Sequence, residues 1–137
     1  MFSKILVATD GSSNAIRGAK KALELAKLCN SEVTLVYVAY VPNLYIGDLS
    51  SELLESFIED GRRILKDTAK IFKKADYPVK TKLIRGKKPT LGICALAKKY
   101  DLVIIGTRGL HKKHERALGS ISDCVVHCAP CSILLVK

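Results

Sequence analysis

No apolar run in this chain approaches the ~20 residues that a membrane-spanning helix needs. The opening residues, MFSKILVATDG, lack the long apolar stretch of a secretory signal; their short apolar part leads straight into a strand pattern. The expectation is a cytoplasmic protein with no membrane partner. Acidic residues are scarce where basic ones gather. Between Lys80 and Arg116 only Asp101 and Glu115 offset eleven Lys and Arg, so that segment carries +9 of the net +10. A local positive field concentrates anions. An anionic small ligand is the expected partner, with nucleic acid as the alternative.

The standard phosphate-binding loops are also missing. Neither G-x-x-x-x-G-K-[ST] nor G-x-G-x-x-G occurs. Cysteine is present, but its count of five is odd. Without an export signal, that argues against a disulfide framework. Cys124-x3-Cys128-x2-Cys131 has a spacing that can hold an iron–sulfur cluster. A fourth thiolate is lacking nearby, and Cys124 and Cys128 fall on the apolar spacing of the last helix, where cysteine acts as a small hydrophobe. His127 shares a helical turn with both. No metal site is expected.

What is present suits one domain over residues 1–137. The chain has 137 residues and 48% hydrophobic content, enough for a single core. Ser3 to Thr9 reads as a strand apolar almost throughout, hence central and covered on both faces. Asp10-Gly11-Ser12 turns the chain, and Ser12 or Ser13 caps a helix running to about Leu28. Ile16, Ala19, Leu23 and Ala26 share its inner face. Gly18 lowers its helical stability and points to close packing on a sheet. Val33 to Ala39 is a second buried strand. Val41 to Ser50 is a loop. A long helix then begins at Ser50 or Ser51 and ends near Asp76, with Leu54, Ile58, Gly61, Leu65, Thr68 and Phe72 on one face.

Val79 to Arg85 alternates apolar and basic residues, the pattern of a half-exposed strand whose lysines block stray pairing. Pro89 opens the next helix, with Ile93, Leu96 and Ala97 inward. Leu102 to Ile105 is a buried strand ending at Gly106. A basic loop follows, and at Gly119-Ser120 a helical spacing begins: Leu118, Ile121, Val125, Cys128. Pro130 stops that helix, and Cys131 to Val136 is a final apolar strand. Strands alternating with helices predict an α/β fold with a parallel sheet in three layers.

The stretch from Asp101 to Ser122 has the layout that holds phosphate: strand, glycine-rich loop, helix start. Glycines let backbone approach an anion, and the first amides of a helix lack internal partners. The alternative is that the glycines only turn the chain.

Gly106-x2-Gly109-x9-Gly119-Ser120 resembles the signature of the ATP-binding subgroup of the universal stress protein family. The likeness extends to ILVATDGS (Ile5 to Ser12), GxxP (Gly86 to Pro89), DLVIIGTRG (Asp101 to Gly109) and the closing GSIS…ILLVK. The resemblance implies a doubly wound five-stranded sheet of order 3-2-1-4-5, a Rossmann-like nucleotide-binding fold. Ligands of such sheets bind beyond the strand ends where the order reverses. Ala8-Thr9-Asp10-Gly11 and Gly106 to Gly119 would meet there.

The resemblance further implies ATP as cofactor, with Mg²⁺ bound through its phosphates. Gly106 and Thr107 would flank the ribose. Gly109, Gly119, Ser120 and Ile121 would offer amides to the phosphates, and Ser122 its hydroxyl. Ala8, Thr9 and Asp10 would line the nucleoside side, with Asp10 alternatively holding a Mg²⁺-bound water or serving only as a helix N-terminal carboxylate. Val38 would meet the adenine, or be plain core. Arg108, Lys112, Lys113 and Arg116 would neutralise phosphate charge, with His111 and His114 among them as loop residues. Glu115 is the one other carboxylate near the loop, short of the positioned base and metal ligands that efficient phosphoryl transfer needs. The expected activity is ATP binding with at most slow hydrolysis, in a regulatory module whose Gly109 to Gly119 loop is ordered by ATP. The other classes are an enzyme that hydrolyses or transfers phosphate, and a nucleic-acid or protein-binding scaffold. Many family members carry proline where this chain has Ser132. Ile133-Leu134-Leu135-Val136, an apolar run expected at the sheet edge, predicts a homodimer formed through that strand.

Overall fold

A computed structural model describes residues 2–41, 48–108 and 118–137 of the chain. In chain order the elements are β1 (Lys4–Ala8), α1 (Ser13–Cys29), β2 (Glu32–Ala39), α2 (Asp48–Lys74), β3 (Lys80–Arg85), α3 (Pro89–Ala97), β4 (Leu102–Gly106), α4 (Ser120–Cys128) and β5 (Ser132–Val136). The five strands form one parallel sheet of order β3-β2-β1-β4-β5. This is the doubly wound, Rossmann-like arrangement expected.

β1 sits at the centre of the sheet, and its side chains divide between the two faces. Ile5 and Val7 join Ala19, Ala22, Leu35, Leu65, Phe72 and Ile104 in one core, under α1 and α2. Leu6 and Ala8 join Val36, Ile93, Ala97, Val103 and Val125 in the other, under α3 and α4. A strand covered on both faces has no use for polar alternation, which is why β1 and β4 are apolar runs. β3, at one edge, leaves Lys80, Thr81 and Lys82 exposed and half-buries the adjacent Leu83 and Ile84, so the inward Thr81 expected from the alternating sequence is not found: at the start of an edge strand little packs over either face. Among the described residues, no helix is long and apolar enough to cross a membrane.

Two helix faces differ from the sequence expectation. Ile16 remains 36% exposed, whereas Ala15, Gly18, Ala19, Ala22 and Ala26 form the buried face of α1. Small residues win because α1 lies close on the sheet, leaving branched side chains to its margin. In α4 the buried positions are Ser122 and Val125; Ile121 is 41% exposed, and Cys124 and Cys128 are exposed too. The cysteines therefore do not belong to an apolar stripe. Cys128 is instead joined to Cys94 of α3 as a disulfide, with Cα atoms 6.0 Å apart. It is a single bridge and not a framework, and it leaves Cys29, Cys124 and Cys131 as thiols. Its partners lie 34 positions apart and meet only because α3 and α4 pack on the same face of the sheet.

Candidate functional site: a cleft at the reversal of strand order

The strand order reverses between β1 and β4, and the turns that leave these two strands diverge to opposite faces of the sheet. The gap between them is the place where doubly wound sheets bind ligands. β1 delivers Ala8 and Thr9 to its rim, followed by Asp10 and Gly11. Gly11 has φ +81°, a conformation that favours glycine. Ser12 caps α1: its side-chain oxygen accepts from the Ala15 amide at 3.2 Å. Asp10 Oδ1 accepts from the Ser12 amide at 2.9 Å, and Thr9 Oγ1 accepts from the Gly11 amide at 3.3 Å. The turn is thus held by its own side chains, with Asp10 half-buried at the cleft.

β4 delivers Gly106, Thr107 and Arg108 from the other side. A methyl group on Gly106 would lie 2.9 Å from Asn14 Cβ, so only glycine lets β4 pass this close to α1. Thr107 donates its amide to Val136, and its hydroxyl accepts from Asn14 Nδ2. α4 begins at Ser120 with Gly119 as N-cap and no side-chain capping bond. The leading amides of a helix have no internal acceptor, so Ser120 and Ile121 present donors at the cleft.

The cleft has a volume of about 300 Å³, at the lower end of the usual range for small-molecule sites. Its walls include Ala8, Thr9, Asp10, Val38, Gly106, Arg108, Gly119, Ser120, Ile121 and Ser122. Of the residues singled out from sequence, Thr107 stands beside the wall. Gly109 lies outside the described residues, as do His111, Lys112, Lys113, His114, Glu115 and Arg116.

Two groups meet partners that the sequence did not reveal. The Gly119 amide donates to the Thr107 carbonyl at 2.6 Å, so it is not free for a ligand. The Ser122 hydroxyl is buried and donates to the Gly106 carbonyl. Its single proton is therefore committed within the fold, and the expected hydroxyl contact to phosphate loses its donor. Both bonds instead fix the start of α4 against the end of β4.

Sequence reasoning missed several wall residues: Ser12, Val36, Tyr37, Pro89, Ile93 and Ile105. Pro89 and Ile93 had a signal in the GxxP segment, which places the start of α3 beside the end of β2. Tyr37 had none. It is half-buried, and the close approach of Gly61 on α2 leaves its ring room; a Cβ there would strike the Tyr37 ring. Burial pushes the Tyr37 phenol pKa above the ordinary tyrosine value, and the carboxylates of Asp60 and Asp10 add to the rise. The cleft is two-sided chemically. Val36, Val38, Pro89, Ile93 and Ile105 give an apolar side; Asp10, Arg108 and the α4 terminus give a polar one. Among the described residues, no group of three or more His, Cys, Asp or Glu is placed to hold a metal.

The model of the universal stress protein family matches residues 1–137. A universal stress protein of Methanocaldococcus jannaschii is 33% identical, over 100% of this chain and 83% of that relative. The solved structure of UspA from Lactobacillus plantarum has a TM-score of 0.84 at 25% identity, over 99% of this chain and 98% of that one. The universal stress protein of Archaeoglobus fulgidus, solved in complex with dAMP, has a TM-score of 0.74 at 22% identity, over 100% of this chain and 98% of that one.

Proposed function

The chain belongs to the universal stress protein family, and on that premise we propose that it is an adenine-nucleotide-binding regulatory module whose nucleotide is ATP. One observation carries the reading: an uncapped helix terminus faces the Asp10 turn across a cleft with one apolar side. Helix N-termini favour anions through their unpaired amides and dipole. The apolar side, with Val38 at the end of β2, suits an adenine ring. A solved relative of the same fold carries dAMP.

The residues present fit that group. Ser120 and Ile121 would donate amides to phosphate oxygens, and Arg108 would offset their charge. Gly106 and Thr107 would flank the ribose, with Ala8 and Thr9 beside the nucleoside. Asp10 keeps one carboxylate oxygen clear of the Ser12 amide, enough to orient a water on Mg²⁺ held mainly by the phosphates. Asp10 is the only carboxylate among the described wall residues. A lone carboxylate without a paired base supports binding with at most slow hydrolysis. The module occupies residues 1–137 as a single domain in the cytoplasm.

The second part of the reading is a homodimer. β5 is the edge strand beside β4, and Leu135 is 36% exposed on it. An apolar edge without lysine within the strand invites a second strand, and a second copy of β5 satisfies it with two-fold symmetry.

Calorimetric titration with Mg·ATP tests the first part. Binding is expected, and Val38→Trp, which fills the apolar side, abolishes it. Absence of heat from the wild-type protein, or unchanged binding by Val38→Trp, would overturn the reading. Phosphate release close to the uncatalysed rate is expected in the same samples. Sedimentation at micromolar concentration tests the second part, with a monomer as the contrary result.

A further inference from the structure

We propose that Cys94 and Cys128 form a reversible dithiol–disulfide modification site that staples the two helices flanking the cleft. The observation is a pairing between helices. Cys94 lies mid-way along α3, next to the cleft-lining Ile93, and Cys128 occupies the last position of α4. Their Cα atoms stand 6.0 Å apart, within the range that a disulfide spans without backbone movement. Cys128 is an exposed residue and Cys94 a half-buried one, so the pair lies at the surface, within reach of solvent reagents.

The 34-position separation gives the bond its consequence. The covalent loop encloses all of β4, the glycine segment and all of α4. The bond therefore ties together the two ends of the segment that carries Arg108 and the α4 terminus, which face Asp10 across the cleft. α4 otherwise rests on few inward groups: Ser122 and Val125 are its buried residues. A nine-residue helix so lightly anchored gains order from a covalent tie at its far end. Rigidifying a binding element in its bound arrangement strengthens binding by lowering the ordering cost.

The chemistry balances with a hydroperoxide as oxidant. The Cys128 thiolate attacks one peroxide oxygen; the O–O bond breaks, giving a sulfenic acid and releasing water or an alcohol. The Cys94 sulfur then attacks the Cys128 sulfur. The S–S bond forms, the S–O bond breaks, and the oxygen departs as water with the Cys94 proton. Two electrons pass from the two thiols to the peroxide. A dithiol reductant reverses the change by thiol–disulfide exchange, itself becoming a disulfide.

The experiment uses the full chain, fully reduced and then treated with one equivalent of hydrogen peroxide. Free thiols are alkylated, and the peptides are mapped by mass spectrometry without reductant. The expected product links Cys94 to Cys128, with Cys29, Cys124 and Cys131 alkylated, and dithiothreitol reverses it. Linkage through Cys124 or Cys131, or no linkage, overturns the proposal. Hydrogen exchange of the α4 amides supplies a readout independent of any ligand. Exchange is expected to slow on oxidation in the wild type and not in Cys128→Ala; equal exchange in the two redox forms overturns the staple.

Affinity for a fluorescent adenine nucleotide then rests on the function proposed above. It is expected to rise by about fivefold or more on oxidation, the low end of ordinary coupling. Equal, measurable affinity in both forms refutes the link to the cleft. Slowed α4 exchange with no nucleotide bound by either form supports the staple and overturns the nucleotide reading instead. If Cys128→Ala does not fold, Cys94→Ser serves as the same control.

Discussion

Asn14 Nδ2 donates to Thr107 Oγ1 at 3.1 Å, joining the first turn of α1 to the residue that follows β4. Asn14 is fully buried, and its Oδ1 accepts from Arg17, whose Nε donates to the Lys137 carbonyl at 2.6 Å. One side chain thus ties both rims of the cleft and, through Arg17, the residue after β5. Replacement by alanine leaves the Arg17 and Thr107 partners unmatched. Arg17 is exposed and Thr107 half-buried, so both can turn to water, and Asn14→Ala is expected to lose about 1 kcal/mol in urea unfolding, the net worth of a hydrogen bond. A loss below a few tenths would show that the bond is incidental.

Two glycines make opposite predictions. A methyl on Gly106 would lie 2.9 Å from Asn14 Cβ and 3.2 Å from the Asn14 carbonyl carbon, so helix and strand must separate. A methyl on Gly18 would meet Ile104 at an ordinary 3.5 Å. Gly106→Ala is expected to destabilise by ~1–3 kcal/mol, as overpacking does. Gly18→Ala is expected to stabilise by up to ~1 kcal/mol through helix propensity. Thermal unfolding of the two variants checks the pair, and the same sign for both would contradict it.

Ser122→Ala separates support from ligand contact. The hydroxyl is buried and bonded to the Gly106 carbonyl, so its removal is expected to cost ~1–2 kcal/mol of stability. Nucleotide affinity, measured well below the unfolding temperature, is expected to fall only by the amount that α4 loosens, about threefold or less, well under one hydrogen bond to a charged group. A loss of a hundredfold or more at unchanged stability would return the hydroxyl to the ligand.

The Tyr37 phenol carries a pH dependence of known sign. Its pKa is raised in the fold, first by burial and then by Asp60 and Asp10. The folded state therefore retains a proton that the unfolded chain gives up near the ordinary value of ~10. Below that pH the contribution to stability is fully present; it is lost as pH rises through the folded pKa. Wild-type protein is expected to lose stability more steeply than Tyr37→Phe above pH ~10. Parallel curves would contradict the burial argument.

Much of the site was legible because its chemistry is tied to chain-local signals. The apolar runs of β1 and β4, Asp10-Gly11-Ser12 and Gly119-Ser120 mark strand ends and helix starts, and those ends converge wherever a doubly wound sheet reverses its order. Gly18 shows the limit of such signals. It packs on β4 as expected, but a methyl there would meet Ile104 at an ordinary 3.5 Å; at Gly106 and Gly61 a methyl would come within 3.0 Å of a neighbour. A glycine looks the same in sequence whether a neighbour presses on it or not.

The sequence by itself determined the order of strands and helices, the buried centre and the basic segment beside the glycines. Those properties follow from periodicity and composition along a few neighbouring residues. Only the tertiary structure decided that the Gly119 amide and Ser122 hydroxyl are spent on β4, that Tyr37 reaches the cleft wall, and that Cys128 meets Cys94. Each of these depends on which groups are brought face to face by helices closing over the sheet. A hydrogen bond or disulfide is set by that distance, which no local pattern encodes.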